Sequence, residues 1–160
     1  MDKNPEIELR FSRADDSAFI RELSIAAFSP FGDYADVVPG WHISDKSITM
    51  VACSNKTPLG FAMVSKSSGR YDQNNPGELL AIAVRDSWQR KGIGRLLLKS
   101  IENVALRAGI MTLFLHTATD NRNARKLFSD SGYRIWQIKK GFYAMGQDAL
   151  VMAKKLFTEA

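Results

Sequence analysis

The sequence is poorest in cysteine: Cys53 is the only one among 160 residues. A lone thiol excludes an internal disulfide framework and any zinc site built on cysteine pairs, and it suits a small buried hydrophobe in a strand. No apolar run approaches the roughly 20 residues that span a bilayer, and Met1 to Glu8 is too polar for the core of a secretion signal. A cytoplasmic protein with no membrane partner is therefore expected. Internal repeats, low-complexity tracts and linkers are also missing. Residues 1–160 are accordingly read as one domain, with a hydrophobic content of 45% to supply its core.

The chain is basic, with a formal net charge of +5 and a pI near 9.4. Its positive residues are spread, apart from short clusters at Arg90 to Arg95, Arg122 to Lys126, Lys139 to Lys140 and Lys154 to Lys155. No aromatic residues interleave with these clusters, and no zinc-finger or RNA-recognition signature is present, which argues against a nucleic-acid partner.

Ile7 to Phe11 alternates polar and apolar residues as a half-buried strand does. Asp15 or Asp16 is placed to cap a helix with the apolar stripe Phe19, Leu23, Ala26 and Ala27. Phe28 to Trp41 is aromatic and broken by Pro30, Gly32, Pro39 and Gly40, an irregular loop with one short helix that can wall a substrate site. Strands at Ser47 to Cys53 and Leu59 to Ser65 flank the turn Ser54 to Pro58 as a hairpin, and Lys66 to Gly77 is polar and turn-rich. Then comes a β-α-β-α series: strand Glu78 to Val84, loop and helix Gln89 to Ala108, strand Met111 to Thr117, helix Asn121 to Ser131. Such a series implies parallel pairing. Strands Tyr133 to Lys140 and Ala149 to Leu156 end the chain. The fold class is α/β, with a mixed sheet and helices on both faces.

Gln89-Arg90-Lys91-Gly92-Ile93-Gly94 joins the first strand of that series to its helix. The first-turn amides of a helix lack intrahelical acceptors and carry the positive end of its dipole, so this turn is a ready anion site, or simply a Gly-rich helix start. Gly92 and Gly94 supply clearance, while Arg90, Lys91 and Arg95 supply charge. A Walker loop needs Gly-Lys-Ser/Thr after four residues, and a dinucleotide fingerprint needs a third glycine near Leu97; neither fits.

Gln-x-x-Gly-x-Gly after a strand resembles the coenzyme A pyrophosphate loop of the GNAT superfamily of acetyl-CoA-dependent N-acetyltransferases. Downstream, Asn121-x-x-Ala124-x-x-Leu127-Phe128-x-x-x-Gly132-Tyr133 is similar to that family's helix beneath the coenzyme arm. The matched region runs from about Glu78 to Tyr133, and Arg10, Ala14 and Asp16 resemble the family's usual beginning. The resemblance implies the GNAT fold, in which the two central parallel strands splay after a bulge. It implies acetyl-CoA as co-substrate, with the pantetheine arm pairing to the backbone of Ile82, Ala83 and Val84. Gln89, Arg90, Lys91, Gly92, Ile93, Gly94 and Arg95 would surround the pyrophosphate, and Asn121, Ala124 and Phe128 the arm. No metal is implied. The end of the chain, Ile135 to Tyr143 followed by Gly146 to Met152, is similar to protein N-terminal acetyltransferases, including the ribosomal-protein alanine type. In those enzymes a Tyr-Tyr pair grips the substrate; here it is Phe142-Tyr143.

Amide formation from a thioester needs a neutral amine and a route for its proton. At pH 7 deprotonation costs an α-amine about 1 kcal/mol and a lysine amine about 4.6 kcal/mol, so an N-terminal substrate asks less of its base. His116, near the end of the second parallel strand, is the candidate base by motif register, although a strand histidine can also be structural. Glu78 opens the first parallel strand, as a base at the lip of an apolar stripe of Leu80, Ile82 and Val84 or as a solvated strand start. Tyr143 is the third catalytic candidate and, with Phe28, Phe31 and Tyr34, a substrate-binding one. Phe128 departs from the family's usual Tyr and cannot protonate the departing thiolate.

A peptide or protein α-amine is the expected acceptor. A small amine such as a polyamine, amino acid or aminoglycoside stays open through Asp33 and Asp36, and a non-catalytic acyl-CoA-binding regulator through Phe128. Either a monomer or a homodimer is compatible with the sequence.

Overall fold

Alternating apolar residues build the first half of the chain as strands. In the computed structural model, which describes residues 5–66 and 75–156, β1 (Glu8–Phe11) precedes helices α1 (Ser17–Phe28) and α2 (Val37–His42). Strands β2 (Ser47–Ser54), β3 (Thr57–Lys66) and β4 (Pro76–Val84) follow. The second half alternates helix with strand: α3 (Ile93–Arg107), β5 (Thr112–Ala118), α4 (Arg122–Asp130), β6 (Arg134–Lys139) and β7 (Ala149–Lys155). Seven strands form one sheet in the order β1-β2-β3-β4-β5-β7-β6. Among the described residues only β4 and β5 pair in parallel, and α3 makes the crossover that parallel pairing requires.

Both faces of the sheet are covered. Ile93, Leu97, Leu98, Ile101 and Ala105 recur along one side of α3 and pack with Ala62, Val64, Leu79, Leu113 and Leu115. On the opposite face Phe19, Ile20 and Leu23 of α1 and Val38 of α2 pack with Val51, Phe61, Met63, Ala81 and Ala83. Fully burying a side chain such as Phe61 or Ile20 stabilises by roughly 1.5–3 kcal/mol.

Several local features differ from expectation. The β2–β3 turn is Asn55-Lys56 alone, at φ 48° and 65°, the left-handed pair whose twist suits a two-residue hairpin. Pro58 thus joins β3, opposite Cys53 beside a register shift. Pro76 and Gly77 begin β4 instead of ending a turn. A Cβ on Gly77 would lie 2.7 Å from Ile110 Cδ1 and 3.0 Å from the Ser65 carbonyl oxygen, so glycine permits the close approach. The rest of the turn-rich stretch, residues 67–74, lies outside the described residues. Ala26 is exposed, and the buried stripe of α1 is Phe19, Ile20, Leu23 and Ser24. Asp16 does not cap α1 with its side chain. Its carboxylate accepts from the Arg10 guanidinium at 2.8 and 2.9 Å and from the Arg13 amide at 2.7 Å. A guanidinium fork outcompetes a single helix amide for a carboxylate.

The centre of the sheet opens as the splay requires. Pairing between β4 and β5 runs only from Pro76 against Thr112 to Leu79 against Leu115. A register shift on β3 between Met63 and Val64 leaves Leu80 without an opposite residue, and this bulge exchanges the faces of β4. Strict alternation would put Glu78, Leu80, Ile82 and Val84 together. Instead Leu79, Ile82 and Val84 belong to the α3 face, and Leu80, Ala81 and Ala83 to the α1 face that Glu78 shares.

Candidate active site

Where β4 and β5 part, a cavity of about 510 Å³ opens. Leu80, Ala81 and Ile82 of β4, His116, Thr117 and Ala118 of β5, and Asn121, Ala124 and Phe128 around α4 form one side. Phe28, Phe31, Tyr34 and Trp41 form an aromatic side with Phe142 and Tyr143 of the β6–β7 loop. The two loops are tied together: Gln147 Nε2 donates to the Pro30 carbonyl at 2.8 Å, and the Phe31 and Tyr143 rings lie 5.4 Å apart. Asp148 shapes the β6–β7 loop by accepting from the Gly141 amide at 2.8 Å and the Lys140 ammonium at 3.2 Å.

Glu78 and His116, 38 residues apart in sequence, meet on the cavity wall with Nδ1 3.2 Å from Oε1. The other ring nitrogen, Nε2, lies 3.2 Å from Lys139 Nζ. Phe142 stacks on the imidazole, centroids 4.6 Å apart and planes 9° from parallel. Burial, and then the neighbouring Tyr34, push the Tyr143 phenol well above its ordinary range; burial also raises Tyr34. Both phenols therefore stay protonated near neutrality and are able to donate.

Along the chain from β4 into α3 the backbone is shaped for an anion. Arg90 and Gly92 take left-handed φ values of 61° and 83°, and Gly92 caps α3 with no side chain. The amides of Ile93, Gly94 and Arg95 are thus left without intrahelical acceptors. A Cβ on Gly94 would come no closer than 3.5 Å to Leu127, so packing within the chain does not demand glycine there. Several side chains of this loop have uses within the chain. The Gln89 amide donates to the Val84 carbonyl at 3.0 Å, Lys91 lies over the Trp88 ring, and Arg95 pairs with Asp130 at 3.1 Å. Ile93 is buried in the core.

The cavity brings together Glu78, His116, Tyr143, Phe28, Phe31, Tyr34, Ile82, Asn121, Ala124 and Phe128. Ala83, Val84 and the loop from Gln89 to Arg95 are not among its lining residues. Asn121 has a structural duty as well, its Oδ1 capping α4 by accepting from the Ala124 amide at 3.2 Å. Phe128 is 4% exposed and packs edge-on against Tyr133.

Lys139 is the residue that sequence reasoning left without a role. Strict alternation in β6 would place it on the face of Ile135. A register shift around Trp136 instead pairs Ile135 and Ile138 with Met152 and Leu150 of the α3-side core and turns Lys139 to the face of His116. Its sequence signal was only a basic pair, Lys139-Lys140, at the end of a strand.

The profile of the acetyltransferase (GNAT) family matches residues 17–133. The chain is 33% identical over 78 residues to a ribosomal protein bS18-alanine N-acetyltransferase of Salmonella typhimurium, covering 47% of this chain and 53% of that one. The match thus spans about half of that relative. Identity to an N-alpha-acetyltransferase of Saccharolobus solfataricus is 25% over 166 residues, 97% of this chain and 96% of the relative. Among solved structures, yncA from Salmonella typhimurium with its cofactor acetyl-CoA shares the fold, with a TM-score of 0.82 at 20% identity over 97% of this chain and 96% of that one.

Proposed function

Because the chain belongs to the acetyltransferase (GNAT) family, we propose that it transfers an acetyl group from acetyl-CoA to the N-terminal α-amine of a peptide or protein. The observation that carries this reading is the opening between β4 and β5, with a hydrogen-bonded Glu78–His116 pair on its wall and an aromatic side facing it. The chain's own features fit the coenzyme. Beyond Leu79 the edge of β4 is not paired to β5, leaving the backbone of Ile82 and Ala83 for the pantetheine arm. The uncapped amides of Ile93, Gly94 and Arg95, with Arg90 and Lys91 nearby, would hold the pyrophosphate. Asn121 keeps its amide nitrogen as a donor to the arm, since its oxygen caps α4.

In the reaction the amine nitrogen attacks the thioester carbonyl carbon. The C–N bond forms, the C–S bond breaks with its electron pair leaving on sulfur, and the amine's surplus proton passes to the Glu78–His116 pair. Tyr143, held protonated by burial, is the donor available to the departing thiolate in place of the hydroxyl that Phe128 lacks. A thiol with a pKa near 8.5 is a fair leaving group in any case. Acceptor choice follows from the lining. Among the described residues that line the cavity Glu78 is the one carboxylate, and it is engaged by His116. Asp33 accepts from the Ala35 amide and Asp36 from Arg21, and neither lines the cavity. The described lining offers a polyamine or aminoglycoside no acidic wall, which favours a peptide carrying a single α-amine.

Incubation with acetyl-CoA and a panel of peptides and small amines, read by free thiol release, tests the reading. Turnover is expected with free peptide N-termini and not with polyamines or N-blocked peptides. Tight coenzyme binding with no turnover on any amine would overturn it in favour of a non-catalytic binder.

A further inference from the structure

Lys139 is set against His116 without a carboxylate of its own. Among the described residues its ammonium forms no ion pair with Asp or Glu; it lies 3.2 Å from His116 Nε2 and 5.5 Å from the Phe142 ring centroid. An ammonium has donors only, so a hydrogen bond there requires a lone pair on Nε2. The single proton of the neutral imidazole then sits on Nδ1, 3.2 Å from Glu78 Oε1, and is donated to the carboxylate. The opposite tautomer would set hydrogen against hydrogen at Lys139 and lone pair against lone pair at Glu78. Phe142, stacked at 4.6 Å, restrains the ring from turning away.

We propose that Lys139 is a positioning residue that holds the His116 proton on Nδ1, closes both ring nitrogens to substrate, and so makes the Glu78 carboxylate the group that takes the amine's proton. This rests on the amine-acetylation reading above and decides between the two members of its base pair. As the C–N bond forms, the nitrogen becomes cationic; its N–H bond then breaks toward the second oxygen of Glu78, and the thiolate carries off the electron pair of the C–S bond. Glu78 later returns its proton to water or to the thiolate. The charged and titratable groups around the ring are Glu78 from β4 and Lys139 from β6, with Tyr34 and Tyr143 on the aromatic side of the cavity.

The test uses the full chain with nitrogen-15-labelled histidine. There are only two histidines, His42 and His116, and His42→Gln assigns them. Long-range proton–nitrogen spectra near neutral pH should show His116 as the Nδ1–H tautomer, and Lys139→Met should shift it toward Nε2–H. A wild-type Nε2–H tautomer, or an unchanged His116 spectrum in Lys139→Met, overturns the proposal. This readout needs no turnover, so it stays separate from any failure of the acetylation assay. In kinetics, Lys139→Met should lower kcat at pH 7 at least fivefold with KM for acetyl-CoA unchanged. Lys139→Arg, which keeps charge and donor, should restore kcat to near its wild-type value. If the Arg variant instead behaves like the Met variant, the role is only structural and the proposal fails.

Discussion

Replacing Glu78 by glutamine exchanges one carboxylate oxygen for an amide nitrogen and leaves the volume of the side chain nearly unchanged. The His116 Nδ1–H, now 3.2 Å from Oε1, can still donate to the remaining oxygen. The side chain is 40% exposed, so the amide can be hydrated and stability should change by less than about 1 kcal/mol. What is lost is the proton acceptor. A positioned general base contributes typically 10²–10⁴-fold. An α-amine is already about a tenth neutral at pH 7, which places the loss near the lower end, about 100-fold in kcat/KM or roughly 2.7 kcal/mol of barrier. Because the attacking amine must be neutral in either protein, kcat/KM of the variant should climb, as that of wild type does, between about pH 7 and 8.5 as the free α-amine accumulates. Thiol release with a peptide substrate gives the rates, and calorimetry with coenzyme A should give an unchanged affinity. A kcat/KM within threefold of wild type at pH 7, with coenzyme affinity intact, would refute Glu78 as the acceptor.

Two further substitutions probe the frame around the site. Asp16→Asn leaves the Arg10 guanidinium, only 20% exposed, without its counter-charge and should cost about 3 kcal/mol, read by denaturant titration. Arg10 chiefly, then the Arg13 amide, holds the Asp16 carboxyl below its usual range. That stabilisation is therefore full above the unfolded value of about 3.9 and is lost as pH falls through the lowered native value; the wild-type melting temperature should drop below about pH 4, and that of Asp16→Asn should drop less. Gly94→Ala meets only Leu127, at 3.5 Å, and should hold or raise the melting temperature because alanine favours a helix by up to about 1 kcal/mol. Coenzyme affinity should nonetheless weaken at least tenfold by calorimetry, and an unchanged affinity would remove Gly94 from the anion site.

Much of the frame was legible because it depends on neighbours a few residues apart. Alternation marked β1, a glycine-rich turn marked the start of α3, and the segment from Asn121 to Ser131 was readable as a helix. Errors arose where one residue changes the phase. The two-residue turn at Asn55-Lys56 drew Pro58 into β3, and Asp16 turned from its helix to Arg10 because a guanidinium six residues back is the stronger partner. The candidate site divides in the same way. Its anion loop and the Asn121 to Tyr133 segment were readable as motifs, and the aromatic stretch from Phe28 to Trp41 stood out by composition, but its meeting with the β6–β7 loop, tied by the bond from Gln147 to Pro30 117 residues away, was not.

Sequence by itself determined the order of elements, the parallel crossover and the glycine-rich helix start, since each follows from local periodicity and backbone freedom. Tertiary structure alone decided which side chains meet. The bulge at Leu80 separates Glu78 from Ile82 and Val84, and the shift around Trp136 turns Lys139 toward His116. A single unpaired residue in a strand reverses every side chain beyond it, and no local pattern records that reversal. The Glu78–His116–Lys139 array, joined across separations of 38 and 23 residues, exists only after four strands, β4, β5, β7 and β6, have settled their registers in one sheet.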